Sequence, residues 1–220
     1  MKIIGFSQLR NELSKGNLEN WFKCMNVCDY IYIFDQNSDD GSKEYYKQFP
    51  NCVVIENPIN DFENELICKN TLIERIQKDH PDADWIYWLD GDTLSPGGLE
   101  TKENVHALLN SIPENIDGVD MGHYNLWRSD IHYRIDDMYD YFDNVGRTPF
   151  WRNKLNMGWP DKKGMHQPEN ERPSEIKNRI RINLALVHRG FATDQQIIEK
   201  YLLYKKNGQE EKYTAWAMNR

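Results

Sequence analysis

The chain has 220 residues, 39% hydrophobic and 28% charged, with a formal net charge of −8. This length fits one sizeable domain, and seven Trp, twelve Tyr and eight Phe exclude a disordered chain. No run of about 18 apolar residues offers a membrane span.

The opening "MKIIGF" has one Lys and a short apolar patch that breaks at Ser7. It is too short for a signal peptide and reads as a first strand. Leu18, Trp21, Phe22 and Met25 follow at helical spacing, with Asn17 as the expected N-cap. "DYIYIFD" is a second strand, closed by the turn-rich "QNSDDGS", and a helix runs through "KEYYKQF". "CVVIEN" is a third strand. "ENELICKNTLIERIQKDH" is a longer helix, with Leu66, Ile67, Asn70, Ile73 and Ile76 expected on one face. "ADWIYWLD" is a fourth strand and runs into "GDTL".

The second half is less regular. "KENVHALLNSI" predicts a helix, "DGVDMGHYNLW" a strand and "TPFWRN" a short strand, with a polar, aromatic-rich stretch to about Asp143 between the last two. The Gly/Pro-rich "GWPDKKGMHQPENERPSE" reads as a loop. "RINLALVHRG" is a strand with His188 near its end, and a helix capped by Thr193 and stopped at Gly208 follows. Strands alternating with helices predict an α/β domain with a largely parallel sheet, whose strand ends present the ligand loops. Ser7–Glu12, Asp35–Gly41 and Asp90–Thr93 should therefore share one edge.

Residues 1–146 carry 12 Lys/Arg against 27 Asp/Glu, and residues 147–190 carry 10 against 4. The acidic part suits a cation and the basic part an anionic ligand, unless the two simply balance on the surface. Cys24, Cys28, Cys52 and Cys68 form no CxxC pair, and no His lies at zinc-finger spacing to them. They read as reduced thiols of a cytoplasmic protein.

Asp90 and Asp92 flank Gly91 at the end of an apolar strand. Two carboxylates this close repel unless a cation lies nearby, and Mg²⁺ or Mn²⁺ takes oxygen ligands and bridges diphosphate oxygens. Two chemistries fit the motif. One is metal-dependent sugar transfer. The other is a haloacid-dehalogenase-like phosphatase, in which Asp90 is the nucleophile and Asp92 the general acid/base. The phosphatase motif matches "YWLDGDTL" well, but it normally opens its domain, whereas three βα units precede it here. Its downstream Ser/Thr, Lys and acidic pair are also missing. A nucleotide- or sugar-binding module without turnover is a third reading.

Arg10-Asn11-Glu12 after strand one, Asp35-Gln36-Asn37-Ser38-Asp39-Asp40-Gly41-Ser42 after strand two, and "CKNTLIERIQKDHPDADWIYWLDGDTL" together resemble a family 2-type glycosyltransferase. "LVHRGFATDQQIIEKYLLY" resembles that family's late strand ending in His before a helix. The resemblance implies a GT-A fold, the nucleotide-diphospho-sugar transferase fold, with a Rossmann-like, mostly parallel sheet flanked by helices. It implies one domain, with residues 1–100 binding the nucleotide-sugar donor and 101–220 the acceptor. The ending "EEKYTAWAMNR" carries no clear terminus signal, which also suits the first part of a longer protein.

The same resemblance assigns roles. Ser7, Gln8 and Leu9 line the nucleoside pocket, with Arg10 and Glu12 near it, and Asp35 accepts hydrogen bonds from base or ribose. An Asx-rich turn is the competing reading of the Asp35 segment. Lys69 lies near the nucleotide, or is a solvated surface residue. Asp92 binds the metal directly, while Asp90, beside Gly91, holds the ribose or a metal-bound water. His188 is the further metal ligand, unless it is a structural residue, and His166 is a weaker candidate. An inverting hexosyl transfer needs a general base, for which Asp136 and Asp137 are favoured and Asp161 is the alternative. Trp127, Trp151 and Trp159 are candidates for stacking on an acceptor sugar or for core packing. The acceptor is a glycan or another hydroxyl compound. Nothing marks a nucleic-acid acceptor, although the composition leaves one open.

Overall fold

A computed structural model describes residues 1–135, 147–160, 172–206 and 208. Its strands are β1 (Ile3–Leu9), β2 (Tyr30–Gln36), β3 (Cys52–Asn57), β4 (Trp85–Trp88), β5 (Thr93–Leu94), β6 (Gly118–Asn125), β7 (Arg147–Arg152) and β8 (Arg179–His188). Its helices are α1 (Leu18–Met25), α2 (Ser42–Tyr46), α3 (Glu65–Asp79), α4 (Lys102–Ser111) and α5 (Asp194–Lys206), with a 3₁₀ turn at Phe62–Asn64. Asp136, Asp137, Asp161 and His166 lie outside the described residues.

The eight strands of the described residues form one sheet in the order β3-β2-β1-β4-β7-β6-β8-β5. β1 pairs in parallel with β2 and β4, β2 with β3, and β6 with β8. β7 enters antiparallel between β4 and β6, and β5 pairs antiparallel with β8. This is an α/β arrangement, a mostly parallel sheet flanked by helices. β5, only two residues long, has no period and no sequence signal of its own.

The period-2 alternation of each strand divides the core between the two sheet faces. Ile3 and Leu9 of β1, Ile31 and Ile33 of β2, and Trp85 and Tyr87 of β4 pack with Trp21, Phe22 and Met25 of α1 and Val105 and Leu109 of α4. Ile4 and Phe6, Tyr32 and Phe34, and Ile86 and Trp88 pack on the opposite face with Leu66, Leu72, Ile73 and Ile76 of α3. Both faces of the parallel strands are thus covered, which is why they read as continuous apolar runs.

Two local expectations change. Asn17 precedes α1 but makes no capping bond with its side chain; its Nδ2 donates instead to Glu12 Oε2 at 2.9 Å. On α3, Ile67 faces outward, while Lys69 and Leu72 join the buried stripe. The residues that meet the sheet recur at 66, 69, 72–73 and 76, and a stripe at that spacing turns position 67 to solvent. Trp151 and Trp159 belong to the α3-side core, Trp151 packing edge-on to Phe6 at 5.9 Å. Core packing is therefore their role.

Candidate active site at the Asp90–Asp92 loop

The three loops expected at one edge do meet. Asn11 N–H donates to Ser38 Oγ at 3.0 Å, Asn11 Nδ2 donates to Asp39 Oδ1 at 2.7 Å, and Ser14 N–H donates to Asp40 Oδ2 at 2.7 Å. These bonds join the loops after β1 and β2. The loop after β4 leans on the first of them. A Cβ on Gly91 would lie 2.7 Å from Leu9 Cδ2 and 2.8 Å from Glu12 Cγ, closer than carbon atoms approach. A larger residue here must push those side chains aside. Trp21 Nε1 donates to Leu89 O at 3.0 Å and fixes the residue that leads into Asp90.

Asp92 and His188 come together although 96 residues separate them. Thr93 and His188 are register partners in the β5–β8 pairing, and Arg189 N–H donates to Asp92 O at 2.7 Å. His188 Nε2 lies 3.1 Å from Asp92 Oδ2. On the other side of the ring, Nδ1 lies 2.7 Å from Asn125 Oδ1, and Asn125 is the register partner of His188 on β6. An amide oxygen only accepts, so Nδ1 carries the proton and Nε2 presents its lone pair towards Asp92. Two electron-rich atoms this close require a cation. Lys200, from α5, supplies it: its Nζ is 3.0 Å from Asp92 Oδ2 and 3.0 Å from His188 Nε2.

Burial alone would raise the Asp92 carboxyl, but the contacts with His188 and Lys200 outweigh it and hold the carboxyl well below the usual carboxylate range. Burial also pulls His188 below its usual value against the opposing effect of Asp92, and Lys200 adds to that depression. The imidazole is therefore neutral near pH 7. His123, whose ring centroid is 5.2 Å from that of His188, is held well below its usual value by burial and by Arg147.

The donor set fits a small divalent cation. A carboxylate oxygen and an imidazole lone pair converge on one point, and Mn²⁺ accepts both ligand types. Gly190 keeps the space open. A Cβ there would lie 2.5 Å from Asp92 Oδ2 and 2.6 Å from His188 Nε2, and would collide with Lys200 Nζ. Among the described residues no group of three or more His, Cys, Asp or Glu gathers to hold a metal. The described residues thus offer two ligands here.

The remaining expected residues divide by strand parity. Ser7, Leu9 and Asp35 lie on the sheet face covered by α1 and α2, and they are buried. Asp35 has no exposed surface; its oxygens accept from Ser38 N–H at 2.8 Å and Tyr46 Oη–H at 3.1 Å. It holds an Asx-type turn, and like Ser7 and Leu9 it is enclosed beneath the sheet edge. Gln8 and Arg10 lie on the other face and reach the edge. Gln8 Nε2 donates to Glu65 O at 2.6 Å and Arg10 Nη1 to Gln36 O at 3.1 Å.

Glu12 is buried beneath Gly91. Burial raises its pKa, partly offset by Lys15, and the nearby Asp92 charge adds to the rise. It props the loop from below. Lys69 is not solvated: it is 2% exposed, lies 2.6 Å from Glu65 Oε1 and sits 4.0 Å from the Trp88 ring centroid. Asp90 is the exposed partner of the motif, with 39% of its side chain open and Oδ2 3.2 Å from Arg147 Nη1. Trp127 is half-buried against Phe191, with the Arg134 guanidinium 4.4 Å over its ring.

Sequence reasoning did not find Asn125, Arg147, Gly190 or Lys200. Each reaches the site through strand register or helix docking, and none stands in a recognisable local motif.

No family model and no curated protein matches the chain. Among solved structures it is similar to the 4-diphosphocytidyl-2C-methyl-D-erythritol synthase of Anaerococcus prevotii. The identity is 14% and the TM-score 0.37, over 69% of this chain and 70% of that one. It is also similar to a glycosyltransferase involved in glycosylation of the major capsid of PBCV-1. There the identity is 13% and the TM-score 0.29, over 57% of this chain and 52% of that one.

Proposed function

We propose that the chain is a metal-dependent glycosyltransferase that moves a sugar, with inversion, from a nucleoside-diphosphate sugar to a hydroxyl acceptor. The observation that carries this reading is the convergence of Asp92 and His188 on one cation position, at the edge where the β1, β2 and β4 loops meet. Asp92 and His188 would hold Mn²⁺ or Mg²⁺, which when bound supplies charge neutralisation for a departing diphosphate.

The chain's own groups take the other tasks. Gln8 and Arg10 face the nucleotide from the α3 side of the sheet edge. Asp90, open to solvent, accepts from the ribose. Arg147 and Lys200 place positive charge beside the diphosphate. Asp136 or Asp137 takes the proton from the acceptor hydroxyl as that oxygen attacks the anomeric carbon and the nucleoside diphosphate leaves. The acceptor is a glycan or another hydroxyl compound, bound by the half that follows residue 100. Four free cysteines suit a reducing compartment, the cytoplasm.

Thermal melts with nucleoside diphosphates and nucleotide sugars, with and without Mn²⁺, test the reading. A ligand held at 100 times its dissociation constant stabilises by about 2.7 kcal/mol. At least one nucleotide should raise the melting temperature, and more so with Mn²⁺. A flat panel overturns the proposal. Mn²⁺-dependent hydrolysis of a nucleotide sugar, with no phosphate released from phospho-sugars, separates sugar transfer from phosphatase chemistry. Nucleotide binding without turnover on any acceptor would mark a binding module.

A further inference from the structure

We propose that Lys200 is a tethered competitor for the metal position. Its ammonium fills the Asp92–His188 site, and it must swing out before a divalent cation enters. The inference rests on the reading of Asp92 and His188 as the metal pair.

The geometry leads to it directly. Lys200 Nζ is equidistant, at 3.0 Å, from the two atoms a metal would bind. Gly190 provides the space in which the ammonium lies, since any Cβ there would collide with it. Phe191 closes one side, with Nζ 4.6 Å from its ring centroid. An ion bound to both Asp92 Oδ2 and His188 Nε2 would occupy the volume of the ammonium, and two cations in one pocket repel strongly. One of them must therefore leave.

Lys200 is built to be the one that moves. Its side chain is 25% exposed, so a path to solvent is open. Its helix is not free to move with it, because Ile197 and Tyr204 of α5 are buried with Phe191. Exchange then requires rotation of the side chain alone, about its four-carbon stem. An incoming diphosphate offers the displaced ammonium a new anionic partner. Metal and nucleoside diphosphate should consequently bind with positive coupling, while the metal alone binds weakly.

The test measures Mn²⁺ affinity without nucleotide, from the electron paramagnetic resonance signal of free Mn²⁺. Wild type, Lys200→Met, Lys200→Gln and Asp92→Asn are compared, each checked for a cooperative melt. Met keeps the apolar stem against Phe191, and Gln serves if the Met variant does not fold. Removal of the ammonium should tighten Mn²⁺ binding by at least about tenfold, and Asp92→Asn should abolish it. Met and Gln variants that bind Mn²⁺ no more tightly than wild type, with Asp92→Asn still abolishing binding, overturn the inference and leave the metal pair standing. Absence of binding in every protein, or binding that survives Asp92→Asn, overturns both.

Discussion

On β1 and β2 the polar side chains at the strand ends bind the chain to itself. Asp35 accepts from Ser38 and Tyr46, and Asn11, Ser14 and Ser42 join two loops to Ser38, Asp39 and Asp40. At the junction of β5 with β8 the polar side chains instead face one another around a point that needs a cation. Asn125 bonds His188, and His188, Asp92 and Lys200 form a triangle of contacts. The first region is scaffold, with its hydrogen bonds satisfied internally. The second keeps a lone pair and a carboxylate directed at the Lys200 ammonium. Motif residues that belong to the scaffold can look like ligand contacts, and the charges that serve the site come from the less regular half.

This contrast predicts an ordering of effects. The seam between the regions is Trp151, on β7 beside β4, buried against Phe6, Trp88 and Trp159. Trp151→Ala should cost about 3–5 kcal/mol in denaturant unfolding. A loss under about 1 kcal/mol would mean that the two regions do not share a core there.

Gly91→Ala acts where the site leans on the scaffold. Its Cβ must push aside Leu9 Cδ2 and Glu12 Cγ, so we expect roughly 1–3 kcal/mol of destabilisation. The displaced loop should also lose the Mn²⁺-dependent part of the nucleotide shift. Full retention of that shift would show that the loop is not positioned by the scaffold.

The smallest effect on stability belongs to the site itself. Asp92→Asn should lower stability by about 1–2 kcal/mol at neutral pH, because Lys200 loses its charged partner. The folded-state carboxyl lies below its unfolded value, so the stabilisation is present above the unfolded pKa of about 3.9 and disappears as pH falls through the lower folded value. Wild type and variant should therefore converge in acid melts below about pH 4. A gap that persists unchanged there would remove the ionised Asp92 from the account.

The regular parts of the molecule were readable because their signals are local. Leu18, Trp21, Phe22 and Met25 declare α1, and the apolar runs of β1, β2 and β4 declare central strands. The neighbourhood of Asp92 and His188 was also legible, since both close apolar strands and such ends gather at one edge. Strand parity, which buries Ser7, Leu9 and Asp35 on the α1 side, was not legible. When both faces of a strand are covered, alternation no longer distinguishes a residue facing a cleft from one facing a helix. Lys200 was hidden for a different reason. It sits mid-helix in "QQIIEKYLLYKK", and only the docking of Ile197 and Tyr204 decides where that helix points the Lys200 ammonium. Arg147 and Asn125 likewise depend on the antiparallel entry of β7 and on the parallel register of β6 with β8.

β4 lies in the middle of the sheet and β5 at its margin, yet only Leu89–Asp92 separate them in the chain. The other route between them runs through four strand pairings, by way of β7, β6 and β8. The polypeptide and its hydrogen bonds together make a closed hoop, and the Asp92–His188 pair sits at its clasp. A chain cut at Gly91 would lose that covalent arc and keep the strand pairings, and the spacing of the two side chains would then hang on the two-residue ladder of β5.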